Sequence, residues 1–323
     1  MGRKKKILIS GGAGFIGSHL CDYYIQREYE VWCIDNLCTG SPDNVKHLFK
    51  LPEFKFIQED VITIEASSIN QKFDMVFHLA SPASPPDYFR LPIETLKVNS
   101  IGTEKMLEIA KNSNAKFLFS STSEVYGDPT ISPQPETYWG NVNSVGPRSV
   151  YDEGKRYGEA LVMAYHRKYK IDTRIVRIFN TYGERMRLDD GRVIPNFIGQ
   201  ILQGKPLTIY GDGKQTRSFC YISDLIKGIT GIMEVDYHLP VNLGNPVEFT
   251  ILQLAEIVQK IAGVNTRIEF LPPLEDDPKQ RKPDISKAKE LLHWEPVVSL
   301  EEGIKKTIKY FQSHLRGGTM GQK

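Results

Sequence analysis

The chain has 323 residues, of which 40% are hydrophobic and 25% are charged, and its formal net charge is +2. A chain of this length buries a large core, so we expect one large domain or two interlocked ones. The composition excludes a collagen, a coiled coil and a disordered chain. The small net charge gives no support to nucleic acid or an anionic membrane surface as a partner.

No apolar stretch approaches the ~20 residues that span a bilayer. A secretory signal peptide is not expected either, because the apolar run at residues 7–9 meets glycine at once. Cysteines at positions 21, 33, 38 and 220 form neither a CxxC pair nor a cluster with zinc-ligand spacing. We therefore expect a cytoplasmic protein with reduced thiols, no metal site and no contact with a membrane.

Predicted strands and helices alternate in the first half of the chain. Strands are predicted at residues 6–10, 30–34, 54–58, 74–79, 116–120 and 173–179. Helices are predicted at residues 15–28, 92–112 and 151–169. Apolar strands separated by helices indicate a parallel sheet that is covered on both faces. Right-handed crossovers then make this sheet doubly wound, as in the Rossmann fold.

After Asn180 the sequence changes to loops rich in glycine, proline and arginine, with shorter elements between them. We predict an α/β protein in which a Rossmann domain at residues 1–180 is followed by a smaller α/β domain at residues 181–315. Segments near residues 219–245 are expected to return to the first domain, and residues 316–323 form a tail. The smaller domain is expected to lie over the carboxyl edge of the sheet.

Four glycines lie between the first strand and the first helix. Two spacings fit a dinucleotide-binding turn, Gly12-x-Gly14-x-x-Gly17 and Gly11-x-x-Gly14-x-x-Gly17. Glycine permits the tight turn, leaves room for a pyrophosphate and lets the helix pack on the strand. The free N–H groups at the start of the helix attract phosphate. The next strand ends at Asp35, where a carboxylate can accept the ribose hydroxyls of NAD and would repel the 2′-phosphate of NADP.

A possible general base opens the third long helix. Tyr151 and Lys155 are four residues apart and share one face of this helix, so an ammonium group next to the phenol would favour the phenolate. The run from Ser120 to Glu124 directly follows a predicted buried strand. It therefore places hydroxyls and a carboxylate at the carboxyl edge, where ligands of open α/β sheets bind.

These motifs together resemble a known family. GGAGFIG, HLAS at residues 78–81, STSEVYG at 121–127 and YDEGK at 151–155 resemble the extended short-chain dehydrogenase/reductase family of nucleotide-sugar enzymes. Within it, HLASPASPPDY, GPRSVYDEGKR, RIFNTYGERM, DDGRVIPNFI, YGDGKQTRSF and DDPKQRKPDI are similar to the UDP-glucuronate decarboxylase (UDP-xylose synthase) subgroup. The resemblance extends from about residue 6 to the last helix.

The resemblance implies an enzyme that converts UDP-glucuronate to UDP-xylose with NAD as a catalytic cofactor. C4 of the sugar is oxidised, the resulting β-keto acid loses CO2, and the retained NADH reduces C4 again. Tyr151 would take the proton of the C4 hydroxyl, Lys155 would bind the nicotinamide ribose, and Thr122 would hydrogen-bond the C4 oxygen. Ser123 and Glu124 would handle the proton near C5.

The resemblance also assigns residues to three groups. The implied catalytic residues are Thr122, Ser123, Glu124, Tyr151, Lys155 and Arg281, the last of which would reach the site from the second domain. The implied cofactor contacts are Gly11, Gly14, Phe15, Ile16, Gly17, Asp35, Asn36, Thr39, Gly40, Asp60, Val61, Leu79, Ala80, Ser81, Asn99, Ser120, Tyr151 and Lys155. The implied substrate contacts are Lys97, Asn180, Arg185, Arg192, Asn196, Tyr210, Arg217 and Arg281. A homodimer is implied too, paired through the helices at residues 92–112 and 151–169.

Two other functions stay open at this point. The same scaffold carries nucleotide-sugar 4-epimerases and 4,6-dehydratases, although Ser123 and Glu124 occupy the place where dehydratases usually have an acid pair. A non-catalytic NAD-binding scaffold is the third hypothesis, and the intact Tyr151 and Lys155 count against it.

Overall fold

The computed structural model describes residues 3–65, 69–273 and 280–317. Its strands are β1 (Lys6–Ser10), β2 (Glu30–Ile34), β3 (Phe54–Ile57), β4 (Met75–His78), β5 (Lys116–Thr122), β6 (Thr173–Ile178), β7 (Thr181–Tyr182), β8 (Leu207–Tyr210), β9 (Thr216–Ser218), β10 (Cys220–Tyr221), β11 (Pro240–Leu243), β12 (Glu248–Thr250), β13 (Ile268–Leu271) and β14 (Gln280–Arg281). Its α-helices are α1 (Phe15–Ile25), α2 (Pro85–Arg90), α3 (Pro92–Lys97), α4 (Thr103–Ser113), α5 (Ser149–Tyr169), α6 (Val193–Leu202), α7 (Ile222–Ile232), α8 (Ile251–Ala262), α9 (Ser286–Leu292) and α10 (Leu300–Gly317).

One parallel sheet organises the molecule. Its strand order is β11-β6-β5-β4-β1-β2-β3, and every neighbouring pair is parallel. The chain starts near the middle, winds outward through β2 and β3, and then crosses β1 to build the other half from β4 onward. This reversal next to β1 is the topological switch point at which open α/β sheets bind ligands. The predicted doubly wound α/β fold is confirmed.

Alternating side chains fill a core on each face of the sheet. In β1, Ile7 and Ile9 pack in the larger core with α1 and α7, whereas Leu8 points into the second core with α4 and α5. The same alternation holds in β5, where Leu118 joins the first core and Phe117 and Phe119 join the second. Strands buried on both faces therefore read as continuous apolar runs, which is why they were visible in the sequence.

The chain beyond β6 forms small sheets near the carboxyl edge of the main sheet. β9 lies between β12 and β14, β8 pairs with β13, and β7 pairs with β10. The segment does not stay separate from the first part of the chain, because β11 adds to β6 as the edge strand of the main sheet. α7, which precedes β11, packs against α1.

Two predicted elements differ from the structure in a way that matters for the site. The helix predicted at residues 92–112 is interrupted, since a π-helical turn at Val98–Gly102 separates α3 from α4. β5 runs two residues further than predicted, through Ser121 and Thr122.

α10 continues to Gly317, two residues into the predicted tail, and residues 318–323 lie outside the described part of the chain. None of the described helices is long and apolar enough to cross a membrane.

The packing of α5 on β5 can be tested with two glycine variants. A Cβ at Gly158 would lie within 3.0 Å of three ring carbons of the fully buried Phe119, closer than van der Waals contact allows. Gly158→Ala should therefore lower the free energy of unfolding by about 1–3 kcal/mol. The control is Gly199→Ala inside α6, whose Cβ would lie 3.5 Å from the nearest atom of Leu188. This second change should be neutral or stabilising by up to about 1 kcal/mol in urea denaturation. Equal stabilities for the two variants would contradict the packing described.

Candidate active site

A cavity of about 760 Å³ opens at the carboxyl edge of the sheet. The loops that follow β1, β2, β4 and β5 form one wall. The segments around β7, α6 and β9 form the other, together with Arg281 of β14. Because parallel strands all present their carboxyl ends at the same edge, residues that are far apart in sequence meet in this one space.

The glycine turn lies at one end of the cavity and fits a dinucleotide. Gly11 has φ +73°, and a Cβ on it would lie 2.7 Å from the backbone nitrogen of Ala80. A Cβ on Gly17 would overlap the carbonyl oxygen of Gly11, so this glycine lets α1 pack close to the turn. Gly14 is the N-cap of α1 and has no side chain to cap the helix, so the first N–H groups of α1 remain available for a pyrophosphate.

Asp35 stands at the end of β2 beside this turn. Its carboxylate accepts hydrogen bonds from the backbone N–H of Ala13 at 3.0 Å and of Leu37 at 2.8 Å. Burial raises the pKa of Asp35, and these backbone donors act in the opposite direction. The next side chain, Asn36, donates to Asp60 at 2.9 Å, so two of the predicted cofactor contacts are hydrogen-bonded to each other.

Most of the predicted cofactor contacts line the cavity. These are Gly11, Gly14, Phe15, Ile16, Gly17, Asp35, Asn36, Thr39, Asp60, Val61, Leu79, Ala80, Ser81, Ser120, Tyr151 and Lys155. Gly40 instead packs against the Asp35 carboxylate, where a Cβ would come within 2.9 Å of both oxygens. Asn99 is buried behind the wall and donates to Ser81 Oγ at 3.0 Å, so it supports a cavity residue without lining the cavity.

The predicted base lines the cavity. Tyr151 is 6% exposed, and Thr122 at the end of β5 is its hydrogen-bonding neighbour. Burial raises the pKa of Tyr151 to about 12, while Thr122 acts to lower it. Lys155 is also buried, and its ammonium donates to the carbonyl oxygen of Ser120 at 2.8 Å. Burial lowers the pKa of Lys155 to about 7.

A second tyrosine, which sequence reasoning missed, covers the ring of the first. Tyr88 of α2 stacks on Tyr151 with the ring centroids 5.2 Å apart and the planes 7° from parallel. Its hydroxyl is buried and has no hydrogen-bond partner among the described residues. The stack restricts Tyr151 to one orientation in which its hydroxyl can meet a ligand. No local sequence pattern marks Tyr88, because its importance arises from a contact across the fold.

Glu124 lies between two arginines. Arg148 Nη2 donates to one carboxylate oxygen at 2.5 Å, and Arg281 Nη1 forms an ion pair with the other oxygen. Arg281 also donates to Ser123 Oγ at 3.3 Å. Burial acts to raise the pKa of Glu124, but the two guanidinium groups lower it to about 2. Arg281 therefore reaches the site from the far part of the chain, and Arg148 is a further site residue that the sequence analysis did not single out.

The predicted substrate contacts divide into two groups. Those that line the cavity are Asn180, Arg185, Arg192, Asn196, Tyr210, Arg217 and Arg281. Arg192 forms ion pairs with Asp190, and Arg185 donates to Asp22 of α1 at 2.5 Å. Lys97 is not brought to the cavity, because it lies on the exposed outer face of α3 while Glu94 of the same helix lines the cavity.

Comparison with known sequences identifies the family of the chain. The NAD dependent epimerase/dehydratase family matches residues 7–244. The chain belongs to this family. Its predicted dependence on NAD is thereby confirmed, and the glycine turn, the exposed start of α1 and Asp35 are the residues that fit the cofactor.

Members of the NAD dependent epimerase/dehydratase family differ in the reaction they catalyse. UDP-glucuronic acid decarboxylase 1 of Arabidopsis thaliana is 54% identical to this chain over 316 residues, which cover 98% of this chain and 72% of that protein. UDP-glucuronic acid decarboxylase 1 of Danio rerio is 51% identical over 312 residues, which cover 97% of this chain and 74% of that protein. Within the family, the chain belongs with the UDP-glucuronic acid decarboxylases, as the motifs predicted.

Solved structures of the family share the fold at lower sequence identity. UDP-glucuronic acid 4-epimerase from Bacillus cereus, in complex with UDP-glucuronic acid and NAD, has a TM-score of 0.86 and 34% identity, and the match covers 96% of this chain and 99% of that one. UDP-glucose 4-epimerase from Thermotoga maritima, with UDP-glucose, has a TM-score of 0.88 and 32% identity, and the match covers 96% of this chain and 99% of that one. The common scaffold therefore accommodates more than one reaction.

The ion pairs of Glu124 predict a specific pH dependence of stability. A carboxyl with a pKa near 2 in the folded state and about 4.3 unfolded stabilises the fold above pH 4.3, and this contribution disappears as the pH falls to 2. Glu124→Gln should remove a contribution of about 3 kcal/mol at pH 7. Urea denaturation between pH 7 and pH 3 should then show a smaller acid-induced loss for the variant than for the wild type. Parallel curves for the two proteins would contradict the double ion pair.

Proposed function

We propose that this protein decarboxylates UDP-glucuronate to UDP-xylose and CO2. The proposal rests on one juxtaposition: a buried Tyr151 beside Thr122 and Lys155, with the Glu124–Arg281 pair next to it. Tyr151, Thr122 and Lys155 suit proton transfer at a sugar hydroxyl. The Glu124–Arg281 pair brings fixed charges to a neighbouring position of the same sugar. The identity of 51–54% to UDP-glucuronic acid decarboxylases supports this assignment over the epimerase alternative.

The chain's own residues then have distinct tasks. Bound NAD supplies the hydride acceptor and donor for C4. Tyr151 takes the proton from the C4 hydroxyl and returns it when C4 is reduced. A protonated Lys155 favours the phenolate form of Tyr151. Thr122 donates to the C4 oxygen as negative charge develops there during loss of CO2. Ser123, Glu124 and Arg281 surround C5 and manage its carboxylate and its new proton.

Further residues would hold the nucleotide. We propose that the part of the chain at residues 1–180, with segments near 219–245, binds NAD, and that residues 181–315 bind the UDP-sugar. Asn180, Asn196, Tyr210 and Arg217 line the same cavity as the glycine turn and come from the part of the chain that we assign to the nucleoside diphosphate. Arginine suits the diphosphate because its guanidinium can bind two phosphate oxygens at once. A cytoplasmic location is proposed from the four free thiols, which a reducing compartment maintains.

The first experiment measures the product directly. Purified protein with NAD and UDP-glucuronate should yield, by mass spectrometry, a nucleotide sugar lighter by one CO2 and no accumulated NADH. Tyr151→Phe removes the phenol that takes the C4 proton, so we expect turnover to fall by a factor of about 100 or more. Tyr169→Phe, at the exposed end of the same helix, is the matched control and should behave as wild type. An unchanged mass with altered sugar stereochemistry would establish an epimerase instead.

We also propose a homodimer built on the outer faces of α3 and α5. Exposed apolar side chains lie along these faces, among them Ile93 at 56%, Leu96 at 38% and Tyr157 at 53% exposure. Such residues on neighbouring helices form a continuous apolar surface that a second copy of the chain can bury.

The dimer is tested by its mass in solution. Wild-type protein should elute with twice the chain mass of 36.7 kDa in size-exclusion chromatography with light scattering. Ile93→Asp places a charge in the proposed interface and should shift the protein toward the monomer. Val247→Asp, at an exposed apolar residue elsewhere on the chain, is the control and should remain dimeric. A wild-type monomer, or an Ile93→Asp dimer as tight as wild type, would contradict the interface.

A further inference from the structure

The proposed decarboxylation needs one proton that Tyr151 does not supply, and this requirement motivates an inference that rests on the proposed function. Tyr151 borrows the proton of the C4 hydroxyl and gives it back when C4 is reduced. At C5, however, a carboxylate leaves as CO2 and a hydrogen takes its place. Each turnover therefore consumes one proton from solvent, and an acid inside the site has to deliver it to carbon.

Glu124 is placed to deliver this proton but does not hold one in the described arrangement. Both of its oxygens are engaged by guanidinium groups, Arg148 on one side and Arg281 on the other. Two fixed positive charges favour the ionised carboxylate, and they hold the pKa of Glu124 at about 2. Glu124 can act as an acid only when at least one of these arginines turns away.

Arg148 has a second carboxyl available for such a movement. Arg148 caps α5, and Asp152 lies one turn further along the helix, with its backbone N–H donating to the Arg148 carbonyl at 3.1 Å. Side chains four residues apart lie on one face of a helix. Among the described residues, Arg148 Nε is a buried donor without an acceptor, and Asp152 Oδ1 is a buried acceptor without a donor. A donor and an acceptor are thus left unsatisfied one turn apart.

The surroundings of Asp152 favour its protonated form. The side chain is 6% exposed and lies outside the cavity wall. The carboxylate of Glu124 faces it from the end of β5, Arg281 from β14, and the phenols of Tyr88 and Tyr151 lie near. Arg148 and Glu153 belong to its own helix. Burial, followed by the Glu124 charge, raises the pKa of Asp152 to about 7. Asp152 can therefore store a proton near neutral pH.

We propose that Asp152 is a positioning residue that supplies Glu124 with the proton for C5 by exchanging Arg148 with it. One proton passes from the Asp152 carboxyl to Glu124, and Arg148 leaves Glu124 to pair with the newly ionised Asp152. The total charge of the cluster does not change, because one carboxyl is neutralised as the other ionises and both arginines stay protonated. Glu124 then gives its proton to C5, Arg148 returns, and a proton from water reloads Asp152.

Asp152→Asn tests this exchange, since it keeps the size of the side chain and removes the transferable proton. We expect kcat to fall by ~10- to 100-fold, the range of a general acid contribution. Oxidation at C4 precedes the step, so the steady-state fraction of reduced cofactor, read by its absorbance, should rise several-fold. Glu153→Gln, at the adjacent, half-buried position that pairs with Arg156 and does not line the cavity, should leave both quantities as in wild type. Asp152→Glu keeps an ionisable carboxyl and should recover most of kcat.

A second measurement does not depend on turnover. In protein labelled with [13C]aspartate, the carboxyl signal that is lost in Asp152→Asn should titrate near neutral pH, and its pKa should fall in Glu124→Gln. Wild-type kcat and cofactor reduction in Asp152→Asn, or a signal that titrates near pH 4 in both backgrounds, would overturn the exchange. If Asp152→Asn unfolds, the same signal is assigned by its loss in Asp152→Glu, which also removes the labelled aspartate, and the titration remains decisive. If wild-type protein leaves UDP-glucuronate unchanged while Asp152 still titrates as expected, the proposed function fails and the Arg148–Asp152 coupling stands.

Discussion

The close contact between helix α5 and strand β5 determines where the chemical groups of this protein lie. Gly158 allows the helix to approach the ring of Phe119, and one turn earlier Gly154 packs against Asn99. Lys155 lies between these two glycines and reaches the carbonyl oxygen of Ser120. Tyr151 and Thr122 belong to the two elements and meet only because the elements are this close. A helix displaced by one methyl group would separate the Tyr151 phenol from the Thr122 hydroxyl, its hydrogen-bonding neighbour.

Burial imposes the second constraint on the site. Around the cavity, Tyr151, Lys155, Glu124 and Asp152 are all withdrawn from water, and each responds differently because its neighbours differ. Burial moves the pKa of the tyrosine up and that of the lysine down. Two arginines hold the pKa of Glu124 low, whereas burial and the Glu124 charge raise the pKa of Asp152. The site thus holds two carboxyl groups close together, Glu124 with a low pKa and Asp152 with a raised one. They differ because both guanidinium groups pair directly with Glu124, while Asp152 Oδ1 is buried without a partner among the described residues and faces the Glu124 charge.

Local features of the chain could be predicted because their causes are local. The glycine turn, the aspartate at the end of β2 and the Tyr151–Lys155 spacing each depend on a few neighbouring residues, and the apolar strands follow from burial on both faces. The motifs indicate the family resemblance, and the resemblance predicted both the reaction and the approach of Arg281 from the second part of the chain. Nothing local marks Tyr88 or Arg148, whose importance arises from contacts with Tyr151 and Glu124 across the fold. The π-helical turn at Val98–Gly102 also escaped prediction, and it sets which residues of that segment face inward.

The return of β11 to the main sheet has a consequence for how the chain can be divided. The strand at Pro240–Leu243 pairs with β6 along its whole length, although some sixty residues of the smaller part separate the two. A fragment ending at residue 180 would therefore leave β6 as a bare, apolar edge, which is the kind of surface on which strands of other molecules add. During synthesis, the sheet is complete only after about three quarters of the chain has emerged. The part of the chain before residue 180 and the part after it therefore share one sheet and should fold and unfold together.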